Sequence, residues 1–165
     1  MMTKDKPRME RWPDPAPMET GAPEPVLLKE GDTLWVAYRA RDPLFPGWDD
    51  PVVAEYVDAN PGEPFAVLRF DGVRRYSIGP PSDERQYQHP LYSQGLELYS
   101  FHVLEDASEE ERHWIVTFHD ETLEVRARAA HAYPPRFLPS AEEGIVNAKH
   151  AVEQAVAADG AAPRR

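Results

Sequence analysis

Two strand patterns and the turn between them define one another in residues 112–130, and no other stretch constrains the fold as tightly. With the chain reversing at Asp120-Glu121, Phe118 faces Leu123, Val116 faces Val125 and Trp114 faces Ala127 on one side of the ribbon. The other side then carries His119 with Thr122, Thr117 with Glu124, Ile115 with Arg126 and His113 with Arg128. One side is apolar and the other polar. A slip of one residue would mix the two sets, so the pattern selects its register even though Asp-Glu is not a favoured two-residue turn.

Further strand patterns flank this hairpin. Residues 26–29 and 33–40 read as two strands joined at Glu30-Gly31-Asp32. Residues 65–70 and 73–78 flank Asp71-Gly72, the dipeptide that best accommodates a tight hairpin turn, which would set Phe65 opposite Ile78 and Val67 opposite Tyr76. Gly79-Pro80-Pro81 ends that strand. Residues 82–95 read as a folded surface loop with one helical turn, and residues 96–104 as a strand with Tyr99, Phe101 and Val103 on one face. The acidic run 105–111 reads as a solvated turn leading into the hairpin at 112–130. Ser140-Ala141-Glu142-Glu143 has the form of a capping box, and a helix is expected from there to about Ala158, ending near Gly160. Its stripe of Ile145, Ala148, Val152, Ala155 and Val156 is narrow and built largely of small residues.

The prolines lie mostly outside these elements. Residues 1–25 hold six of them and no apolar periodicity, and read as a disordered arm; Trp12 is the exception, exposed or else docked on the domain or a partner. Residues 41–64 read as a long Pro-rich loop with at most one short strand at 52–57. The expected organisation is an arm 1–25, an antiparallel β domain 26–138 containing the loop 41–64, a helix 139–160 and a disordered tail 161–165. The fold class is α+β and mostly β, a single twisted antiparallel sheet or open barrel of successive hairpins with one C-terminal helix. Core positions expected from the alternation are Leu34, Val36, Phe65, Val67, Tyr76, Leu98, Phe101, Trp114, Val116, Phe118, Leu123 and Val125.

Charge narrows the partners. Against 29 Asp and Glu the 165-residue chain has 18 Lys and Arg, a formal net charge of -11 that repels nucleic acid and anionic membranes. A basic or neutral protein partner is expected, with no nucleic acid and no membrane; solubility alone is the other reading of the same charge. The absence of cysteine removes disulfides, thiolate nucleophiles and Cys-ligated metal sites and fits a cytoplasmic protein, and no apolar run has the length of a signal peptide core or a membrane span.

The residues that could carry chemistry are few. His89, His102, His113, His119 and His131 fall near a run of acids, a combination that suits a divalent metal. His113 and His119, however, are six residues apart, roughly 20 Å along a strand, too far to share one ion. His119, Asp120 and Glu121 at the hairpin tip are the candidate metal ligands, with exposed polar residues on a wet face as the alternative. Nucleotide loops and a GxSxG elbow are absent, and no cofactor is expected. Tyr87, His89, Tyr92, Tyr99 and His102 around Gly95 are the candidate ligand or partner surface, the alternative being a cap folded over one end of the sheet.

The segments FAVLRFDGVRRYSIGPPSDE, HPLYSQGLELYSFHVLE and HWIVTFHDETLEVRA resemble parts of small bacterial proteins of unassigned function that carry an RHFIFTFHDSTFE-like hairpin. The resemblance spans residues 33–130 and implies no activity, cofactor or site. The expectation is therefore a non-catalytic acidic binding protein, immunity-like or accessory to a basic partner. The alternatives are a metal-dependent hydrolase using His119 and Asp120, or a small-ligand module at residues 87–102.

Overall fold

The computed structural model describes residues 8–20, 24–105 and 110–161. In chain order these form β1 (Arg8–Arg11), β2 (Val26–Glu30), β3 (Thr33–Arg39), α1 (Val53–Ala59), β4 (Glu63–Asp71) and β5 (Arg75–Gly79). The remaining elements are β6 (Phe101–Glu105), β7 (Arg112–Thr117), β8 (Thr122–Ala127), β9 (Ala129–Leu138) and α2 (Ala141–Ala161). The strands make two antiparallel sheets, one in the order β1-β6-β7-β8-β5 and the other β2-β3-β4-β9. The mostly-β architecture with a C-terminal helix is thus the one the patterning calls for, as two facing sheets that do not close into a barrel.

The space between the sheets is the main core. Leu34, Val36, Tyr38, Leu68 and Phe70 fill it from the four-stranded sheet, and Phe101, Trp114, Val116, Leu123 and Val125 from the five-stranded one. The four-stranded sheet is buried on its other face as well, where Trp35, Ala37 and Val67 meet Ile145 and Ala148 of α2. That double burial explains why Leu-Trp-Val-Ala-Tyr in β3 and Phe-Ala-Val-Leu-Arg-Phe in β4 read as nearly unbroken apolar runs. Ser140 starts α2 by accepting the Glu143 backbone N–H at 3.3 Å, the forward half of the expected capping box.

The two sheets are joined at a corner built on Asp71-Gly72 and Arg128. Gly72 has φ +65°, a conformation that costs an L side chain energy but not glycine. Instead of folding back as a hairpin, the chain there crosses from one sheet to the other. β4 pairs with β9, while β5 pairs with β8, so Tyr76 faces Val125 and Ile78 faces Leu123. Across the corner, Arg128 N–H donates to Asp71 O at 3.0 Å and Arg74 N–H to Arg126 O at 2.8 Å. The hairpin expected at 65–78 is overturned because its two strands pair with β9 and β8, later in the chain and in different sheets.

The hairpin at 112–130 forms with its faces as expected and its register moved by two residues. Thr117 pairs with Thr122, Val116 with Leu123 and Trp114 with Val125, leaving the four residues 118–121 as the loop. A shift of two preserves every face. The longer loop, with Phe118 N–H donating to Glu121 O at 2.9 Å, relieves Asp120-Glu121 of the tight two-residue turn they suit poorly.

Other expectations change for tertiary reasons. The short strand at 52–57 is helix α1 instead. The arm read as disordered supplies β1, which pairs with β6, and Trp12 is buried against Phe70, Phe101 and Trp114 at ring separations of 6.0, 6.4 and 6.2 Å. Met18 is buried too and bridges to Ala40. Ten of the twelve expected core residues are buried, but Tyr76 and Leu98 are 41% and 46% exposed. Tyr76 lies on edge strand β5. Leu98 precedes Tyr99, whose φ of +50° breaks the alternation before β6 begins. Residues 106–109 of the acidic connection and 162–165 of the tail lie outside the described residues.

Two substitutions test this packing. Trp12→Ala should cost about 3–5 kcal/mol in urea unfolding, as expected for a large aromatic removed from a core; a loss below about 1 kcal/mol would place Trp12 outside the core in solution. A Cβ at Gly144 would meet Phe65 Cβ and Val67 Cγ2 at 3.5 Å, an ordinary contact distance. Gly144→Ala should therefore stabilise the protein by about 0.5–1 kcal/mol through helix propensity; destabilisation would mean that α2 sits closer to the sheet.

Candidate functional site

The outer face of the five-stranded sheet is covered by the excursion 80–99, which folds into 3₁₀ turns at Asp83–Gln88 and Tyr92–Gln94. Apart from Ile115 and Leu96, the buried layer under it is mostly polar. Thr122 Oγ1 donates to Pro81 O at 2.9 Å, Gln86 Nε2 to Leu96 O at 2.9 Å and Thr117 Oγ1 to Glu97 O at 2.7 Å. Each bond ties a side chain to backbone of the excursion, or excursion to excursion. Such a layer holds its geometry by satisfied hydrogen bonds more than by apolar area.

Three histidines lie within this layer. His89 Nδ1 accepts the Leu91 N–H at 3.0 Å, which leaves the proton on Nε2, 3.5 Å from Glu124 Oε2. His113 Nε2 lies 3.0 Å from Glu124 Oε1. A single carboxylate is thus set between two imidazoles, and the hydrogen bond from His113, reinforced by the nearby imidazoles against the opposing effect of burial, holds Glu124 below the usual carboxylate range. His102 is 3% exposed and accepts the Glu97 N–H at 3.3 Å through Nε2. Burial pushes its pKa down, against the charge of Glu97.

At the open end of the excursion, the hairpin tip presents His119 to Asp83 and Tyr99. His119 Nδ1 is 2.8 Å from Asp83 Oδ2, the Tyr99 hydroxyl donates to the same oxygen, and Asp83 N–H donates to His119 O at 2.9 Å. The Tyr99 and His119 rings stack at 6.4 Å with 21° between planes. The hydrogen bond from Tyr99, followed by that from His119, keeps Asp83 ionised, and the same bond pushes Tyr99 up to about 12. An ionised Asp83 only accepts, so it fixes the His119 proton on Nδ1 and leaves Nε2 bare, 3.6 Å from Asp120 Oδ1. This arrangement positions an imidazole to accept a proton at Nε2. Glu121 turns away from it toward Glu24, and burial, then the Glu24 carboxylate, raises its pKa.

The candidate residues therefore separate. His119 and Asp120 stay together, while Glu121 joins a different acid. Among the described residues no group of three or more His, Asp or Glu is placed to hold a metal ion. Of the five residues around Gly95, His89 and His102 are buried, Tyr99 is drawn to Asp83, and Tyr87 and Tyr92 are 64% and 50% exposed. Sequence reasoning missed Asp83 and Glu124, whose partners lie 36 and 11 or more residues away and leave no local signal. It also passed over residues 44–58, where exposed apolar groups alternate with acids. Searches of protein-family models, curated proteins and solved structures find nothing that matches this chain. Among the described residues, no helix is long and apolar enough to cross a membrane.

The polar layer predicts an acid-sensitive fold. A carboxylate with a depressed pKa adds stability that is present above its unfolded value of 4.5 and is lost as pH falls through the folded value. A histidine with a depressed pKa acts in the same direction, because below 6.5 the unfolded chain takes a proton that buried His102 refuses. Stability should therefore fall from about pH 6.5 downward, and Glu124→Gln should flatten the lower part of that decline. Urea unfolding midpoints between about pH 7 and pH 4 measure both; parallel profiles for the variant and the parent would remove Glu124 from the account.

Proposed function

We propose that this chain is a non-catalytic binding protein whose partner is a basic protein, in the manner of small immunity or accessory proteins. The observation that carries this reading is the way surface charge is distributed. Arg11 lies 2.9 Å from Glu97, Arg74 3.1 Å from Glu111, Arg39 3.5 Å from Glu63, Arg112 3.5 Å from Glu105 and Arg128 3.7 Å from Asp32. Pairs with an exposed guanidinium add little stability. They do cancel positive charge at short range, so the surplus behind the net charge of -11 sets the outer field. Glu10, Glu84, Glu110, Asp120 and Glu142, all exposed, lie on different edges and loops of the two sheets.

A field of that sign attracts a cationic protein and repels nucleic acid and anionic lipid. The buried histidines, meanwhile, are engaged in holding the excursion 80–99 to the sheet. A cysteine-free sequence suits a reducing, cytoplasmic setting. The test is recovery of a partner from native lysate followed by reconstitution from purified components. The expected partner is cationic and binds at about 1 µM or tighter in low salt. Its association rate should fall at least about tenfold between about 0.05 M and 0.5 M salt. An acidic partner, or an association rate indifferent to salt, contradicts the proposal.

A further inference from the structure

Residues 42–62 leave the four-stranded sheet after β3 and return to it at β4, folded on a small aromatic stack. The Phe45 ring lies 5.0 Å from Trp48 and 5.9 Å from Tyr56, and Tyr56 lies 6.4 Å from Phe137 of β9. Acids stitch the backbone: Leu44 N–H donates to Asp42 Oδ1 at 3.0 Å and Val52 N–H to Asp50 Oδ1 at 2.9 Å. The Tyr56 hydroxyl donates to Asp42 Oδ2, and that bond pushes Tyr56 up to about 12. The segment is therefore anchored from beneath.

Its apolar side chains are left uncovered by the described residues. Trp48 is 79% and Leu44 78% exposed, with Val52 and Val57 nearly half exposed, whereas Trp12, Trp35 and Trp114 are at most 8% exposed. Leaving the largest apolar side chain in water forgoes burial that the other three tryptophans obtain. Four exposed large apolar side chains between positions 44 and 57 of an anchored segment point to an interaction surface. Charge selects what covers it. Between positions 42 and 62 stand Asp42, Asp49, Asp50, Glu55 and Asp58, and no Lys or Arg. That border would repel a second copy of this chain, nucleic acid and anionic lipid alike. It matches a segment with an apolar stripe flanked by Lys or Arg, whose cations can pair with Asp49 and Asp50 and lie over the Trp48 ring.

We propose that Leu44, Trp48, Val52 and Val57, with their acidic border, form the docking site for a basic amphipathic segment of a protein partner. The assignment rests on the basic-partner reading above and gives it a location. Trp48 is the one strongly exposed tryptophan, so its fluorescence reports occupancy directly.

The test titrates the full chain with a synthetic Lys/Leu amphipathic helix, with polylysine, and with a Glu/Leu helix of the same apolar pattern. The Lys/Leu helix should shift Trp48 emission to the blue and shield it from acrylamide. Calorimetry should show its affinity falling about tenfold or more in Trp48→Ala and in Asp49→Asn/Asp50→Asn. Trp48 is 79% exposed and touches the stack only through Phe45, so Trp48→Ala should lower the melting temperature by no more than a few degrees. Binding of the Lys/Leu helix with unchanged Trp48 emission and undiminished affinity in Trp48→Ala overturns the docking site while leaving a basic partner elsewhere. No binding of either cationic probe at low salt overturns both readings. Equal binding of the Glu/Leu helix, or a concentration-dependent blue shift of the protein alone, assigns the patch to another occupant and overturns the proposal.

Discussion

Face-to-face burial of two sheets around a joint of aromatic rings is the constraint on which the rest of this structure depends. Trp114 of β7 and Phe70 of β4 meet edge-on across the gap at 5.7 Å, and Tyr38 meets Phe101 at 5.3 Å. Edge contacts of this kind add to the area that the rings remove from water. Trp12 completes the joint from outside both sheets, with its backbone N–H on Phe101 O at 2.9 Å. The chain before β2 is thereby drawn into the fold, and β1 covers the edge of β6 that would otherwise present unpaired backbone groups.

The outer faces of the sheets are covered in different ways, and the difference decides where function can reside. Apolar side chains of α2 seal one face. On the other, a 3₁₀-rich excursion rests on histidine, threonine, glutamine and glutamate, held by side-chain to backbone hydrogen bonds, while His89 Nε2, His102 Nδ1 and His113 Nδ1 are buried without a hydrogen-bond partner among the described residues. Titratable groups there serve the fold, and protons compete with it. Two loops carry exposed groups of another kind: the His119 tip and the aromatic segment between β3 and β4.

How much of this was legible in the chain depends on range. The hairpin at 112–130 could be read because its alternation recurs every two residues, and its faces survived even a two-residue change of register. The helix after Ser140 could be read from its cap. At Asp71-Gly72 the local signal was sound, since glycine does turn the chain there with positive φ. Nothing local said that β4 and β5 would each prefer a partner more than forty residues further on. The site suffered most, because Asp83 reaches His119, and His89 reaches Glu124, only through the tertiary fold.

By itself the sequence determined the antiparallel, mostly-β character, the acidic field, the lack of thiol chemistry and which residues share a face, since periodicity, charge and composition are properties of the chain alone. Tertiary structure decided that the strands form two sheets joined at a corner, that Trp12 lies in the core and Trp48 in water, and that the histidines divide between a buried layer and an exposed tip. Those outcomes depend on which surfaces meet. Two tryptophans in similar proline-rich stretches differ only because one finds the gap between two sheets and the other does not.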